Sequence, residues 1–189
     1  MTETSTTNNI QKDNQQIATL AGGCFWCIES AFTQVQGVIS ATSGYMGGST
    51  DNPTYKAVCK GDTGHAEVVQ LVFDKTQISY QEILEIFFTL HDPTQLNRQG
   101  NDLGTQYRSA IFCHSDSQLS IAGQLIKEMS DAQMFEQEIV TQVCPVDTFY
   151  PGEDYHQDYF NNNPENQYCQ AVVSPKLAKF RKTFVNKLK

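Results

Sequence analysis

Apolar residues recur along this chain with two different periods, and the switches between them mark out its elements. Ile17 to Ala21 is a short apolar run that stops at Gly22-Gly23, as a strand running into a turn would. From Cys24 to Gln36 the apolar positions Ile28, Ala31, Phe32 and Val35 fall at steps of three and four, the spacing of one helical face, and Gly37 supplies a stop. Val38 to Ser43 reads as a strand. Gly44 to Tyr55, rich in Gly, Ser, Asn and Pro, reads as a loop. His65 to Phe73 alternates, with Glu67, Val69, Leu71 and Phe73 on one face, and predicts another strand. Ser79-Tyr80-Gln81-Glu82 is a capping box that opens a helix through about Leu90, with Ile83, Ile86, Phe87 and Leu90 in its stripe. A long loop, His91 to Gly104, precedes a strand over Gln106 to Cys113, a helix over Asp116 to Met129 and a strand over Glu138 to Cys144. Phe149 to Cys169 is irregular apart from one helical turn near Glu153 to Phe160. Ser174-Pro175 caps a final basic helix with Leu177, Phe180, Phe184 and Leu188 inward.

Strands and helices interleave, with strand following strand in places. This predicts an α+β fold, a two-layer sandwich of a mixed sheet and packed helices, with a long irregular C-terminal segment. The chain has 189 residues, enough for one domain, taken as 17–189 after a polar lead over 1–16 that holds too little apolar surface to order. The formal net charge of −8 disfavours nucleic acid and anionic membranes as partners. No stretch approaches the roughly 20 apolar residues of a membrane span. The lead has no apolar core and does not read as a secretory signal, so the expected location is the cytoplasm. A monomer is the default for a small acidic chain with no obvious sticky face. The six cysteines (Cys24, Cys27, Cys59, Cys113, Cys144, Cys169) are then expected as thiols.

The sharpest chemical feature is Gly22-Gly23-Cys24-Phe25-Trp26-Cys27. Two glycines between a strand and a helix allow a tight turn and close approach to the backbone. Cys24 then stands at the start of a helix, where free N–H groups and the dipole favour a thiolate, the reactive form of cysteine. Cys27 lies one turn on, spaced to attack an oxidised Cys24. A metal site has no second Cys-x-x-Cys or His pair to complete it, and none is expected. Phe25 and Trp26 offer aromatic faces suited to a methyl group and to sulfur. A thioredoxin-like disulfide oxidoreductase using Cys24 and Cys27 is the alternative, with Pro145 in the place of its active-site proline.

Gly-Cys-Phe-Trp-Cys-Ile-Glu resembles the peptide methionine sulfoxide reductase A family, and three more segments match it. These are Gly44-Tyr45-Met46-Gly47-Gly48 through Asn52-Pro53-Thr54-Tyr55, then Gly61-Asp62-Thr63-Gly64-His65-Ala66-Glu67, then His91-Asp92-Pro93 through Gln99-Gly100-Asn101-Asp102-Leu103-Gly104-Thr105-Gln106-Tyr107-Arg108-Ser109. Tyr155-His156-Gln157-Asp158-Tyr159 is a weaker match. The resemblance implies a ferredoxin-like core and reduction of the S epimer of methionine sulfoxide. It implies Cys24 as nucleophile, Glu67 as proton donor to the sulfoxide oxygen, and Tyr55 and Tyr107 as hydrogen-bond donors to it. Asp102 would orient polar groups, Phe25 and Trp26 would line a methyl pocket, and His156 would support the site. No cofactor is implied; the external reductant would be thioredoxin or another dithiol. Many members carry Gly where this chain has Cys27 and keep resolving cysteines in the tail, where only Cys169 stands here. Cys169, in a segment expected to be loose, is therefore placed first as resolver, with Cys27 second or in relay.

Overall fold

The computed structural model describes residues 13–189, so most of the polar lead lies outside the described residues. In chain order the elements are β1 (Gln15–Gly22), α1 (Phe25–Phe32), β2 (Val38–Met46), α2 (Tyr55–Cys59), β3 (Ala66–Asp74) and α3 (Tyr80–Leu90). There follow β4 (Arg98–Gln99), β5 (Asp102–Leu103), β6 (Ser109–Cys113), α4 (Asp116–Asp131), β7 (Gln142–Pro145), β8 (Tyr150–Pro151), α5 (Tyr159–Asn162) and α6 (Ser174–Thr183).

One sheet has the order β7–β6–β1–β3–β2–β8. β1 runs antiparallel to β3 and β6, β2 antiparallel to β3 and β8, and β6 parallel to β7, so the sheet is mixed. The succession β1–α1–β2–β3–α3–β6, with central order β6–β1–β3–β2, is the split βαβ arrangement of a ferredoxin-like core. The alternating strands sort their side chains by parity. Ala18, Leu20, Val69, Leu71, Phe73 and Ile111 face the helices and form the main core with Ile28, Phe32, Ile83 and Phe87. Ala21, Met46, Ala66, Val68, Ala110 and Phe112 form a smaller cluster on the other face. Glu67 has the parity of Val69, which turns its carboxyl toward the helix layer at the start of β3, beside the start of α1.

Local sequence explains most boundaries. The Ser79 capping box forms in both directions, Glu82 N–H to Ser79 Oγ at 3.1 Å and Ser79 N–H to the Glu82 carboxylate at 2.8 Å. Gly23 takes φ +93°, and a Cβ there would stand 2.7 Å from Gln99, so only glycine lets β1 turn into α1 at this point.

Elsewhere tertiary contacts override the pattern. α1 ends at Phe32, and Val35 is buried from the turn beyond it, which is why the helical spacing runs on further than the helix. β2 continues to Met46 because β3 and β8 both pair with its end. α2 interrupts the expected loop, capped by the Thr54 hydroxyl on Ala57 N–H at 3.2 Å. β4 and β5 form a small hairpin inside the expected loop over 91–104. Thr105–Tyr107 is a 3-10 turn, so β6 starts only at Ser109. Ser174 does not cap α6. A π-helical turn, Cys169–Val173, leads straight into that helix and no capping bond forms.

Candidate active site

Cys24 is the residue before α1, buried at 7% exposure, with its backbone still extended (φ −57°, ψ 121°). The first free N–H of the helix, that of Phe25, donates to Glu67 Oε2 at 3.1 Å. The carboxyl of Glu67 is thereby held beside the residue that follows Cys24. Glu67 is 2% exposed. Burial, then the neighbouring Cys24, pushes its pKa well above the usual carboxyl range, against the stabilising Phe25 N–H, so it is poised as a protonated acid.

The resting state of Cys24 differs from the thiolate expected at a helix start. Burial raises its pKa well above the usual thiol value, and the facing thiol of Cys27 adds to this; the helix N–H of Trp26 and the hydroxyl of Tyr168 act in the opposite direction. The nearest helix N–H has gone to Glu67 instead. Cys27, also buried, donates its N–H to the Cys24 carbonyl at 3.2 Å, and its pKa is lowered by the neighbouring Cys24 thiol, with Lys176 contributing.

Aromatic rings surround these groups. Phe25 is fully buried, stacked on Tyr55 at 6.3 Å between centroids and 19° between planes, and tilted against Tyr45 at 5.8 Å. Trp26 is half-buried, lies flat on Tyr159 at 3.7 Å and 5°, and meets the edge of Tyr168 at 5.9 Å. Its indole N–H donates to His156 Nδ1 at 3.1 Å. His156 is completely buried, and burial holds its pKa below the usual value, so it is neutral with the remaining proton on Nε2. Tyr55 and Tyr107 are half-buried; burial, then the nearby Glu67 carboxyl, raises both phenols, which keeps them hydrogen-bond donors. Asp102, on β5, accepts from the Tyr168 hydroxyl at 2.6 Å.

The structure thus gathers Cys24, Cys27, Phe25, Trp26, Tyr55, Glu67, Tyr107, Asp102 and His156 into one cluster. Cys169 lies in the same buried cluster, but not in a loose segment: it is fully buried at the start of the π-helical turn, its N–H held by Asn166 at 3.1 Å. Pro145 does not face Cys24. It pairs with Cys113, at the opposite end of β6 from Ser109, which pairs with Gly22. Four residues escaped the pattern analysis. Tyr168 joins Asp102 to Cys24. Tyr159 covers Trp26. Glu153 accepts from the Tyr45 hydroxyl at 2.8 Å and from Tyr55 N–H at 3.0 Å, tying α2 to the C-terminal segment. Burial pushes Glu153 up, but those bonds outweigh it and keep it ionised. Tyr45 was visible only as part of a glycine-rich motif. Tyr159 stood in the weaker match over Tyr155 to Tyr159, and the sequence signal for Tyr168 was aromatic density in the segment over 149–169.

Comparison with known proteins agrees with this geometry. Residues 16–188 match the sequence profile of the Peptide methionine sulfoxide reductase family. The chain is 54% identical to the Peptide methionine sulfoxide reductase MsrA of Polynucleobacter asymbioticus, over 88% of each chain. It is 53% identical to that of Saccharolobus solfataricus, over 92% of this chain and 97% of the relative. Among solved structures, reduced Mxr1 from Saccharomyces cerevisiae superposes with a TM-score of 0.75 at 36% identity, covering 83% of this chain and 90% of that one. A buried cysteine–carboxylic acid site on a ferredoxin-like core and a match of this extent define the class together: the chain belongs to the peptide methionine sulfoxide reductase family.

Proposed function

We propose that Cys24 attacks the sulfur of methionine sulfoxide while Glu67 gives its proton to the sulfoxide oxygen. The enzyme is a peptide-methionine (S)-S-oxide reductase. The observation that carries the assignment of roles is the Phe25 N–H to Glu67 bond, which sets a protonated carboxyl next to the nucleophile under an aromatic wall.

A sulfoxide oxygen leaves only when protonated, so the site must supply a proton on one side and a sulfur nucleophile on the other. Cys24 loses its own proton as its sulfur attacks, and that proton replaces the one Glu67 has given, so the acid is restored when the sulfenic acid forms. Tyr55 and Tyr107 donate to the same oxygen without adding charge. Phe25 and Trp26 hold the methyl group. Asp102, through Tyr168, orients the polar side of the cluster, and His156 fixes the indole. The oxygen passes to Cys24 as sulfenic acid, two electrons pass to the substrate sulfur, and methionine leaves.

A second thiol then attacks the sulfenic sulfur, forms a disulfide and releases water. Cys27 stands one helical turn from Cys24, its N–H on the Cys24 carbonyl, whereas Cys169 must first leave its buried turn. We therefore assign Cys27 the first disulfide and Cys169 the thiol that receives it by exchange. A dithiol protein of the thioredoxin type returns both electrons by the same exchange chemistry. Every electron comes from thiols, so the cycle needs no prosthetic group. A reducing compartment such as the cytoplasm suits six free cysteines, and the chain acts as a monomer.

A single turnover with no added reductant tests the reading. One equivalent of the S epimer should yield one methionine per enzyme, with a Cys24–Cys27 bond on peptide mapping after early quenching that passes to Cys27–Cys169 with time, and the R epimer none. Equal reduction of both epimers, or activity in Cys24→Ser, would overturn it. A Cys24–Cys169 bond with Cys27 free would reverse the order of the resolvers alone.

A further inference from the structure

Glu29 closes the motif that begins at Cys24, yet the chemistry above leaves it idle. It sits one turn beyond Trp26 on α1, at 2% exposure. Both carboxylate oxygens accept from a single donor, the Asp158 N–H, at 3.1 and 3.2 Å. No cation neutralises it: the salt bridges among the described residues are Lys127–Asp131 and Lys187–Glu82. Burial pushes its pKa up to about 7, and a buried carboxyl group with no cation beside it works against folding in its ionised form, so packing alone does not account for it.

What the carboxylate holds is a strained link. Asp158 adopts φ +53°, ψ 35°, the left-handed region that costs a non-glycine residue energy, and its side chain makes no capping bond to α5. The residues on either side of this link both lead to Trp26. His156, two before it, accepts the indole N–H, and Tyr159, directly after it, lies flat on the indole. Gln157 pins the same segment to the backbone of Ser43 on β2, donating to its C=O at 2.9 Å and accepting its N–H at 3.0 Å.

We infer that Glu29 is a positioning residue for substrate binding: by gripping the Asp158 N–H it fixes Tyr159 and His156 against Trp26 and so sets one wall of the substrate site. The inference rests on Trp26 lining the substrate site, as proposed above. Glu29 touches no reacting atom, so its loss should act on substrate affinity and leave the chemical step alone.

Trp26 is the chain's single tryptophan, so its fluorescence reads this wall directly. Glu29→Leu, of similar size but with no acceptor, should raise KM for methionine sulfoxide about tenfold, while the single-turnover rate at saturating substrate stays within about twofold. Its Trp26 emission should shift as the Tyr159 stack loosens. Glu29→Gln keeps one acceptor oxygen of two and should raise KM by about two- to threefold, with a smaller emission shift. Tyr159→Leu should raise KM by a similar factor, and the double variant Glu29→Leu/Tyr159→Leu should be no worse than Tyr159→Leu alone. Unchanged emission in Glu29→Leu, or additive losses in the double variant, would overturn the clamp. Shifted emission with unchanged KM would instead contradict the placing of Trp26 in the substrate wall. Should Glu29→Leu not fold, Glu29→Gln decides: a measurable rise in KM with shifted emission supports the clamp, and wild-type values of both overturn it.

Discussion

At the scale of single residues, the site works by placing groups in their less comfortable protonation states. Glu67 stays an acid because burial disfavours its anion, and Tyr55 and Tyr107 stay donors for the same reason. Each phenol should contribute one hydrogen bond to an oxygen that gains charge only in the transition state. Tyr55→Phe and Tyr107→Phe should each lower kcat/KM about tenfold, the loss of roughly 1.4 kcal/mol. Steady-state assays of both variants check this; a change below twofold in each would remove them from the oxygen-binding role. The sequence made the residues near Cys24 legible, because the Gly-Gly turn, the thiol and the aromatics are contiguous. Tyr168, Tyr159 and Glu153 were not, because their partners Asp102, Trp26 and Tyr55 lie 66 to 133 residues away in the chain. No local period encodes such a contact. The helix start that favours a Cys24 thiolate was legible in the sequence; the burial and the facing Cys27 that raise its pKa were not.

At the scale of elements, the junction between β1 and α1 is what brings the nucleophile to the acid. Gly23 in its left-handed conformation, packed against Gln99, sets the direction in which α1 leaves the sheet. Gly23→Ala should therefore destabilise the fold by about 1–3 kcal/mol and lower Tm by roughly 3–10 °C, with activity falling further than stability requires. Thermal unfolding alongside kcat/KM tests this, and a wild-type Tm would show that the turn carries no such constraint. The long, strongly patterned elements were readable: α3 begins and ends where its capping box and apolar stripe place it. Short ones were not. α2 has five residues, and β4 and β5 two each, too few for a period to show. Their positions come from tertiary bonds such as Glu153 to Tyr55 N–H.

At the scale of the whole molecule, the site draws on nearly the full length of the chain. Cys24 comes from the start of the first crossover, Glu67 from a central strand, Asp102 from a hairpin, and His156 and Tyr168 from the irregular segment that wraps back across α1. The α+β class and the interleaving of strands and helices followed from periodicity, whereas the order β6–β1–β3–β2 required pairing information that one sequence does not carry. Among the described residues, no helix is long and apolar enough to cross a membrane.

The pairing of a thiol with a buried acid across the sulfoxide is tested most directly by the pH dependence of single-turnover methionine formation in the wild type and in Glu67→Gln. Because the folded protein holds the Glu67 proton above the ordinary carboxyl range, the wild-type rate should persist through neutral pH and fall as pH rises through that raised pKa. Glu67→Gln should be slower by about 10²–10⁴-fold and should lack that alkaline fall. A Glu67→Gln rate within tenfold of the wild type, with the same pH profile, would contradict the account.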